Sequence, residues 1–250
     1  MYRPRVIPVL LLQHKGLVKT EKFKKPTYIG DPINAVQIFN DLQADEIVFL
    51  DIDASKNKTR IDINFVKEVG EEANMPFTVG GGIRSIDTIR TIISAGAERV
   101  IIGNYALENP DFIKEAANTF GSSTIAVCID VKKNLFGKQK VYSLNGKKSW
   151  DYTPIHFAKL MEEKGAGELV VQSIDLDGSM TGYDLELIKA IAEEVKIPVI
   201  ALGGAGSVKH LDEAFKEGYA SGVAAGSLFV YQNKSKGVLI NYPENLKELF

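Results

Sequence analysis

The stretch Phe77-Thr78-Val79-Gly80-Gly81-Gly82 and its counterpart Ile200-Ala201-Leu202-Gly203-Gly204-Ala205 decide the fold. Each is a short apolar run that ends in a glycine cluster, which is typical of a buried strand followed by a tight turn. The alignment of the two stretches matches Val79 with Leu202. Further matches at nearly the same separation are Asp51-Ile52-Asp53 with Asp175-Leu176-Asp177 and Gly103-Asn104 with Gly226-Ser227. Such a repeat indicates a chain made of two similar halves.

Eight apolar, β-branched runs alternate with amphipathic stretches along the chain. The predicted strands are Arg5 to Leu12, Glu46 to Ile52, Pro76 to Val79, Arg99 to Gly103, Thr124 to Asp130, Glu168 to Ile174, Pro198 to Leu202 and Gly222 to Ala225, and helices are predicted at Ile33 to Leu42, Ile86 to Ala95 and Tyr183 to Val195. This alternation fits either a doubly wound sheet or a closed (β/α)8 barrel. The repeat and the length of 250 residues favour an α/β fold of the (β/α)8 TIM-barrel type, built from two duplicated half-barrels. We expect one domain over residues 1–250, with half-barrels at about 1–120 and 121–250.

The charge balance and the scarcity of metal-binding residues limit the partners. Lys and Arg number 30 against 32 Asp and Glu, and this net charge of −2 is too balanced for the positive field that nucleic acid binding needs. The single Cys128 fits a reducing compartment, and His14, His156 and His210 lack metal-ligand spacing. The apolar run Val6 to Leu12 is too short for a membrane span of about 18 residues. We therefore expect a cytoplasmic protein with no metal, no cofactor, no nucleic acid partner and no membrane contact.

Two long connections follow predicted strands at the end where barrel active sites lie. They are Gln13 to Gly30 and Val131 to Trp150, and loops of that length are usually functional. In the second connection, Phe136 to Gly146 is predicted to form a hairpin over the barrel mouth. The first connection is basic, which fits either a lid that clamps an anion or a solvated loop. Its lysines are Lys15, Lys19, Lys22, Lys24 and Lys25.

Four glycine-containing turns follow predicted strands: Gly80-Gly81-Gly82, Gly103-Asn104, Gly203-Gly204-Ala205-Gly206 and Gly226-Ser227. Glycine lets backbone N–H groups approach a phosphate closely, and the start of a following helix adds partial positive charge. The alternative is that glycine only makes the tight turn. Because the repeat relates the four turns, we predict two phosphate sites at opposite edges of one mouth. The substrate is then a phosphorylated small molecule.

Three carboxylates stand at predicted strand ends, namely Asp51, Asp130 and Asp175. A carboxylate in a barrel mouth can act as a general acid or base. The alternative is a structural acid that caps the next turn. We favour proton transfer for Asp130 and a structural role for Asp51 and Asp175, whose neighbours are typical of turns.

Seven segments carry a resemblance to a known family: Asp45 to Ile52, Phe77 to Ile83, Glu108 to Pro110, Gly165 to Glu168, Ser173 to Asp175, Gly182 to Asp184 and Gly203 to Gly206. Together they resemble the cyclase subunit of imidazole glycerol phosphate synthase, a barrel that receives ammonia from a glutaminase partner. The resemblance runs from Arg5 to about Phe229 and implies that Asp130 is catalytic. The substrate and phosphate contacts that it implies are Lys19, Gly81, Gly82, Gly103, Asn104, Asp177, Gly178, Gly203, Gly204, Gly226 and Ser227.

The chain departs from that family at the end of the first strand. In the family this strand carries a catalytic Asp that acts opposite the Asp of the fifth strand, here Asp130, but Leu11 stands at the first position. The internal repeat pairs the same two positions, so one half keeps its acid and the other has lost it. Since leucine cannot transfer a proton, we expect weak cyclase activity. The family's Asn-Thr phosphate contact is also changed, to Gly103-Asn104.

Four charged residues stand at or near predicted strand starts: Arg5, Glu46, Arg99 and Glu168. In the family such residues form the ring that is thought to admit ammonia, with Lys where this chain has Arg99. Buried ions need partners, so charges at these positions are not ordinary core residues. The alternative is a salt-bridge plug that closes the barrel floor.

The segments Arg3 to Leu12, Gly16 to Thr20 and Tyr28 to Val36 resemble a branch of the family associated with acetamidino modification of bacterial surface-glycan sugars. This resemblance implies a glutaminase at the N-terminal barrel face, a separate sugar amidotransferase, and a nucleotide-linked acetamido sugar as acceptor. Two alternatives stay open. One is an imidazole glycerol phosphate cyclase of histidine biosynthesis that tolerates Leu11, and the other is a non-catalytic barrel that scaffolds or activates the glutaminase.

Overall fold

The structure, a computed structural model, describes residues 3–134, 136–232 and 237–243. Within those residues the strands are, in chain order, β1 (Arg5–Gln13), β2 (Gly16–Glu21), β3 (Lys24–Gly30), β4 (Ile47–Asp51), β5 (Phe77–Gly80), β6 (Arg99–Ile102), β7 (Ile125–Lys133), β8 (Gln139–Ser143), β9 (Lys148–Ser149), β10 (Glu168–Ser173), β11 (Val199–Leu202) and β12 (Gly222–Ala225). Strands β1, β4, β5, β6, β7, β10, β11 and β12 run parallel in that order, and β12 pairs with β1 to close the ring. The predicted (β/α)8 TIM barrel is confirmed, with a strand at each of the eight predicted places.

Helices alternate with the barrel strands: α1 (Pro32–Asp41), α2 (Ala54–Asn57), α3 (Ile63–Glu72), α4 (Ile86–Ser94), α5 (Asn104–Glu108), α6 (Asp111–Phe120), α7 (Pro154–Glu163), α8 (Leu185–Ala192), α9 (Val208–Lys216) and α10 (Ser227–Val230). Side chains cap the starts of α4 and α9, where Ser85 and Ser207 accept hydrogen bonds from backbone amides. Each serine follows one of the two glycine clusters, so the same local sequence makes the strand-to-helix turn in both halves. Among the residues described above, no helix has the length and apolarity to cross a membrane.

Apolar side chains pack on both faces of the barrel sheet. The larger cluster lies between strands and helices and includes Phe49 and Phe157, both fully buried. A second cluster fills the barrel interior, where Ile7, Val9 and Leu11 project from alternate positions of β1. Strands buried on both faces read as continuous apolar runs, which is why the sequence located them.

The strand register relates the two half-barrels residue by residue. Strand β5 ends at Gly80, which lies beside Leu50, and β11 ends at Leu202, which lies beside Gln172. Leu50 and Gln172 are equivalent, because each lies four residues after a glutamate that pairs with Arg5 at the strand starts. Gly80 is therefore the counterpart of Leu202, and the sequence alignment of Val79 with Leu202 is wrong by one residue. The reason is that the glycine clusters differ in length, so matching glycine letters shifts the alignment.

The same register makes Leu11 and Asp130 equivalent positions. Leu11 lies beside Leu50 on β4, and Asp130 lies beside Gln172 on β10. The equivalence that the internal repeat predicted is therefore confirmed. One half-barrel presents a carboxyl group at this level and the other presents a leucine.

A hairpin rises from the C-terminal end of β1. Strand β2 pairs with β1 and β3 pairs with β2, both antiparallel. The connection Gln13 to Gly30, expected as a long loop, therefore contains two strands. The chain reverses after His14, whose φ is 56°, and the apolar Leu17 and Val18 pack back on β1.

A second antiparallel extension rises from β7. Strand β8 pairs with β7, and β9 pairs with β8. The range Phe136 to Gly146, predicted to form a hairpin, contains one strand, β8, whose partners β7 and β9 lie outside that range. Leu135, within the predicted connection, lies outside the described residues. The turn between β8 and β9 returns the chain to the barrel mouth.

Candidate active site at the barrel mouth

A cavity of about 140 Å³ opens at the C-terminal ends of the barrel strands. Its lining includes Leu11 and Leu50, which are paired on β1 and β4, and Asp130 and Gln172, which are paired on β7 and β10. This is the end of a (β/α)8 barrel at which active sites are built.

Asp130 lies at the inner end of this cavity beside a thiol. Cys128, two residues earlier on the same face of β7, donates a hydrogen bond from Sγ to Oδ1 of Asp130 at 3.4 Å. Burial raises the pKa of Asp130 to about 7, and the negative charge of Asp177 adds to the rise while the thiol opposes it. Burial also raises the pKa of Cys128, so the thiol remains a donor. A carboxyl group that titrates near neutrality can accept or donate a proton.

The other strand-end acids are engaged by the backbone. Asp51 accepts hydrogen bonds from the amides of Asp53 and Ala54, both at 3.0 Å, and caps the turn into α2. Asp175 accepts a hydrogen bond from the amide of Lys133 at 2.9 Å. These contacts are the structural roles favoured for Asp51 and Asp175.

Two of the four glycine turns line the mouth cavity, through Gly81, Gly82, Gly103 and Asn104. Gly82 has φ +66°, and a Cβ atom there would lie 1.9 Å from the carbonyl oxygen of Thr59. Glycine is thus required by the packing of this turn, whether or not a phosphate binds. The side-chain oxygen of Asn104 accepts a hydrogen bond from the amide of Leu144 at 3.1 Å, which ties the β8–β9 turn to the mouth.

The other two glycine turns, Gly203 to Gly206 and Gly226-Ser227, lie around an ion pair. Lys19 Nζ lies 3.0 Å from Asp177 Oδ1, and both side chains are 7% exposed. Asp177 also accepts hydrogen bonds from Thr20 Oγ1 and the amide of Phe23. Both sequence interpretations of Lys19, a lid cation and a solvated loop residue, are therefore corrected: it is a buried strand residue, because β2 packs on the barrel.

Three other predicted phosphate-binding segments, Gly178, Gly203-Gly204 and Gly226-Ser227, lie around this ion pair. A Cβ atom at Gly226 would be 3.0 Å from the Lys19 side chain, and one at Gly178 would be 2.6 Å from the carbonyl oxygen of Thr20. Gly203 and Gly204 both have positive φ, and Ser227 is buried. Among the described residues, the lining of the 140 Å³ cavity includes none of Lys19, Asp177, Gly178, Gly203, Gly204, Gly226 and Ser227.

The four charged residues at the strand starts meet at the barrel floor. Arg5 donates to both Glu46 and Glu168, and Arg99 Nη1 lies 3.3 Å from Glu46 Oε2. Thr78 Oγ1 donates to the other oxygen of Glu46 at 2.9 Å. Burial raises the pKa of Glu168, and the positive charge of Arg5 opposes this. The predicted cluster therefore exists, held by pairing of two partly exposed arginines with two buried carboxylates.

A small cavity of about 10 Å³ lies between floor and mouth. This is about the space of one water molecule. Glu46, Thr78 and Glu168 line its lower end, and its other lining residues are apolar except Cys128. Leu50, Ile101 and Cys128 line both this cavity and the mouth cavity, so they form the partition between them.

Sequence reasoning missed two contributors to the mouth. Cys128 carried no motif, although its position two residues before Asp130 places it on the same strand face. Gln172 carried no motif, and only the register sets it beside Asp130.

The fold is a (β/α)8 barrel made of two similar halves. Its site has a strand-end acid, Asp130, at the mouth, and a charged cluster lies at the floor. The chain belongs to the family described as histidine biosynthesis protein, which it matches over residues 5–236.

Similar proteins cover almost the whole chain. One from Pseudomonas aeruginosa, provisionally named imidazole glycerol phosphate synthase subunit hisF2, is 45% identical over 98% of this chain and 97% of its own length. One from Leptospira borgpetersenii, provisionally named imidazole glycerol phosphate synthase subunit HisF, is 46% identical over 97% and 96%. The imidazole glycerol phosphate synthase subunit HisF of Alkaliphilus metalliredigens is 42% identical over 94% and 93%.

Proposed function

We propose that this chain is the ammonia-receiving subunit of a glutamine amidotransferase system. A glutaminase binds the N-terminal face, and ammonia enters past Arg5, Glu46, Arg99 and Glu168. It then crosses the apolar interior to Asp130. The charged cluster, the small interior cavity and the titratable acid lie in that order along the barrel, which supports this route.

We propose further that the acceptor is a nucleotide-linked acetamido sugar of surface-glycan biosynthesis, handled jointly with a sugar amidotransferase. The observation that carries this proposal is Leu11 at the position equivalent to Asp130. A cyclisation that needs two opposed acids has only one at this level. Glycine turns at the mouth suit a phosphorylated acceptor.

The names of the relatives favour a second candidate, the cyclase of imidazole glycerol phosphate synthase. In that case Asp130 performs both proton transfers, alone or with Asp51 or Asp175. A third candidate is a barrel that performs no chemistry and only scaffolds or activates its glutaminase.

Restoring the missing acid separates the first two candidates. With ammonia as nitrogen source, we expect the protein to turn over the histidine-pathway ribonucleotide far more slowly than an ordinary cyclase does. Leu11→Asp should raise that rate by about 10²-fold or more, the usual contribution of a general acid or base. Steady-state kinetics measure both rates.

Leu50→Asp is the matched control, because it adds a carboxyl group at the same level on the neighbouring strand. It should not raise the rate. Robust turnover by the unmodified protein would overturn the sugar-amidation proposal, and equal gains in the two variants would mean that the position of the acid is unimportant.

A further inference from the structure

A basic groove of about 670 Å³ lies beside the mouth cavity. Lys56 and Lys58 line it from α2 and the residue that ends α2, and Lys147 lines it from the turn between β8 and β9. Elements from the first and second half-barrels therefore place three ammonium groups around one space.

These lysines have no counter-charge of their own. Within residues 3–134, 136–232 and 237–243, none of the three makes an ion pair. The acid that lines the groove, Glu108, is held by two hydrogen bonds from Arg84, at 2.7 and 3.2 Å. The groove thus concentrates unpaired positive charge on a chain whose net charge is −2.

The groove adjoins the mouth cavity. Ser55, Arg84 and Asn145 line both spaces. A molecule held at the glycine turns of the mouth can therefore extend past Arg84 to the lysines. The groove volume lies within the range of about 300 to 1,000 Å³ that is usual for small-molecule sites.

We propose that this groove binds the diphosphate of a nucleotide-linked acceptor whose other end lies in the mouth cavity. The inference rests on the proposed function, because it names the part of that acceptor that is held outside the mouth. A diphosphate carries several anionic oxygens along its length, and it suits flexible ammonium groups that approach from two sides.

Binding of anions to the purified barrel tests this directly. Inorganic pyrophosphate and uridine diphosphate are titrated by calorimetry at low salt. Lys56→Ala/Lys147→Ala should weaken uridine diphosphate binding by about tenfold, since each lost lysine removes a charge-assisted hydrogen bond. The control Lys67→Ala/Lys114→Ala removes two exposed lysines from α3 and α6, and it should bind as the unmodified protein does.

Three results would overturn the inference: no binding at millimolar concentration, equal weakening in both double variants, or binding of pyrophosphate without binding of uridine diphosphate. The second would show that only the overall charge matters, and the third that the site holds a free anion. The titration involves neither a glutaminase nor turnover, so its failure is distinct from a failure of the ammonia route.

Discussion

At position 130 a carboxyl group lies between a thiol and an apolar wall, and burial moves its pKa to about 7. At the equivalent position 11 the side chain is a leucine that packs in the interior cluster. Of these two equivalent positions, only position 130 carries a side chain that can exchange a proton. This asymmetry between two similar half-barrels is the main chemical feature of the site.

The raised pKa of Asp130 predicts how stability depends on pH. The folded state binds this proton more tightly than the unfolded state, where the pKa is near 3.8, so stability falls as pH rises from about 4 to about 7. Asp130→Asn removes this effect. Its free energy of unfolding should exceed that of the unmodified protein by on the order of 2 to 4 kcal/mol at pH 8, and by little at pH 4.

Urea unfolding at several pH values measures the difference. The control Asp87→Asn changes an exposed acid on α4 that pairs with Arg90, and it should not raise the free energy of unfolding at pH 8. A difference for Asp130→Asn that stays constant from pH 4 to 8 would show that the carboxyl group titrates normally.

Among the elements, the β2–β3 hairpin pairs with β1 and also contacts the second half-barrel through a buried ion pair. Lys19 on β2 pairs with Asp177, which follows β10, and the amide of Lys22 donates to the carbonyl oxygen of Asp177 at 3.0 Å. The hairpin thus joins the first half-barrel to the second above the strand ends. These contacts hold the hairpin in place over the strand ends.

Breaking this pair on one side should destabilise the protein. Lys19→Met leaves Asp177 buried without its cation, which costs about 3 to 5 kcal/mol. Lys19→Met/Asp177→Leu should recover most of that loss, because replacing both charges leaves no unpaired ion. Urea unfolding measures stability, and hydrogen exchange over residues 16–30 reports the hairpin itself.

Lys22→Met is the control, since Lys22 is an exposed residue at the turn of the same hairpin. Its effect should stay within about 0.5 kcal/mol. If Lys19→Met were equally mild, the ion pair would contribute nothing to holding the hairpin.

At the scale of the whole molecule, the charged and apolar features of the barrel interior are arranged along the barrel axis. The charged cluster, the interior cavity, the partition of Leu50, Ile101 and Cys128, and the mouth cavity follow one another from floor to mouth. Each is built from residues of several strands, so no single element contains the proposed ammonia route. A change at the floor should therefore affect what arrives at the mouth without altering the mouth.

The nitrogen source distinguishes a route from a scaffold. In the proposed complex with a glutaminase, Glu168→Gln should lower glutamine-dependent product formation by about tenfold, about 1.4 kcal/mol in barrier. Formation from added ammonia should change much less, because ammonia also reaches the mouth from solvent. The two rates are measured on the same preparation.

Arg3→Ala is the control at the same barrel face, because Arg3 pairs with Asp45 outside the interior cavity. It should leave the ratio of the two rates unchanged. Equal losses with both nitrogen sources in Glu168→Gln would indicate a salt-bridge plug, and no loss with either would favour the scaffold.

The sequence by itself determined the barrel, its repeat and the absence of an acid at Leu11, because apolar runs, glycine turns and residue identity are local properties of the chain. It also predicted that Arg5 and Glu168 lie close together, since strand starts meet at one end of a closed barrel. Only the tertiary structure decided that Lys19 is buried against Asp177. Such pairing depends on how distant segments pack and on which charges that packing removes from water, and residue order does not record this.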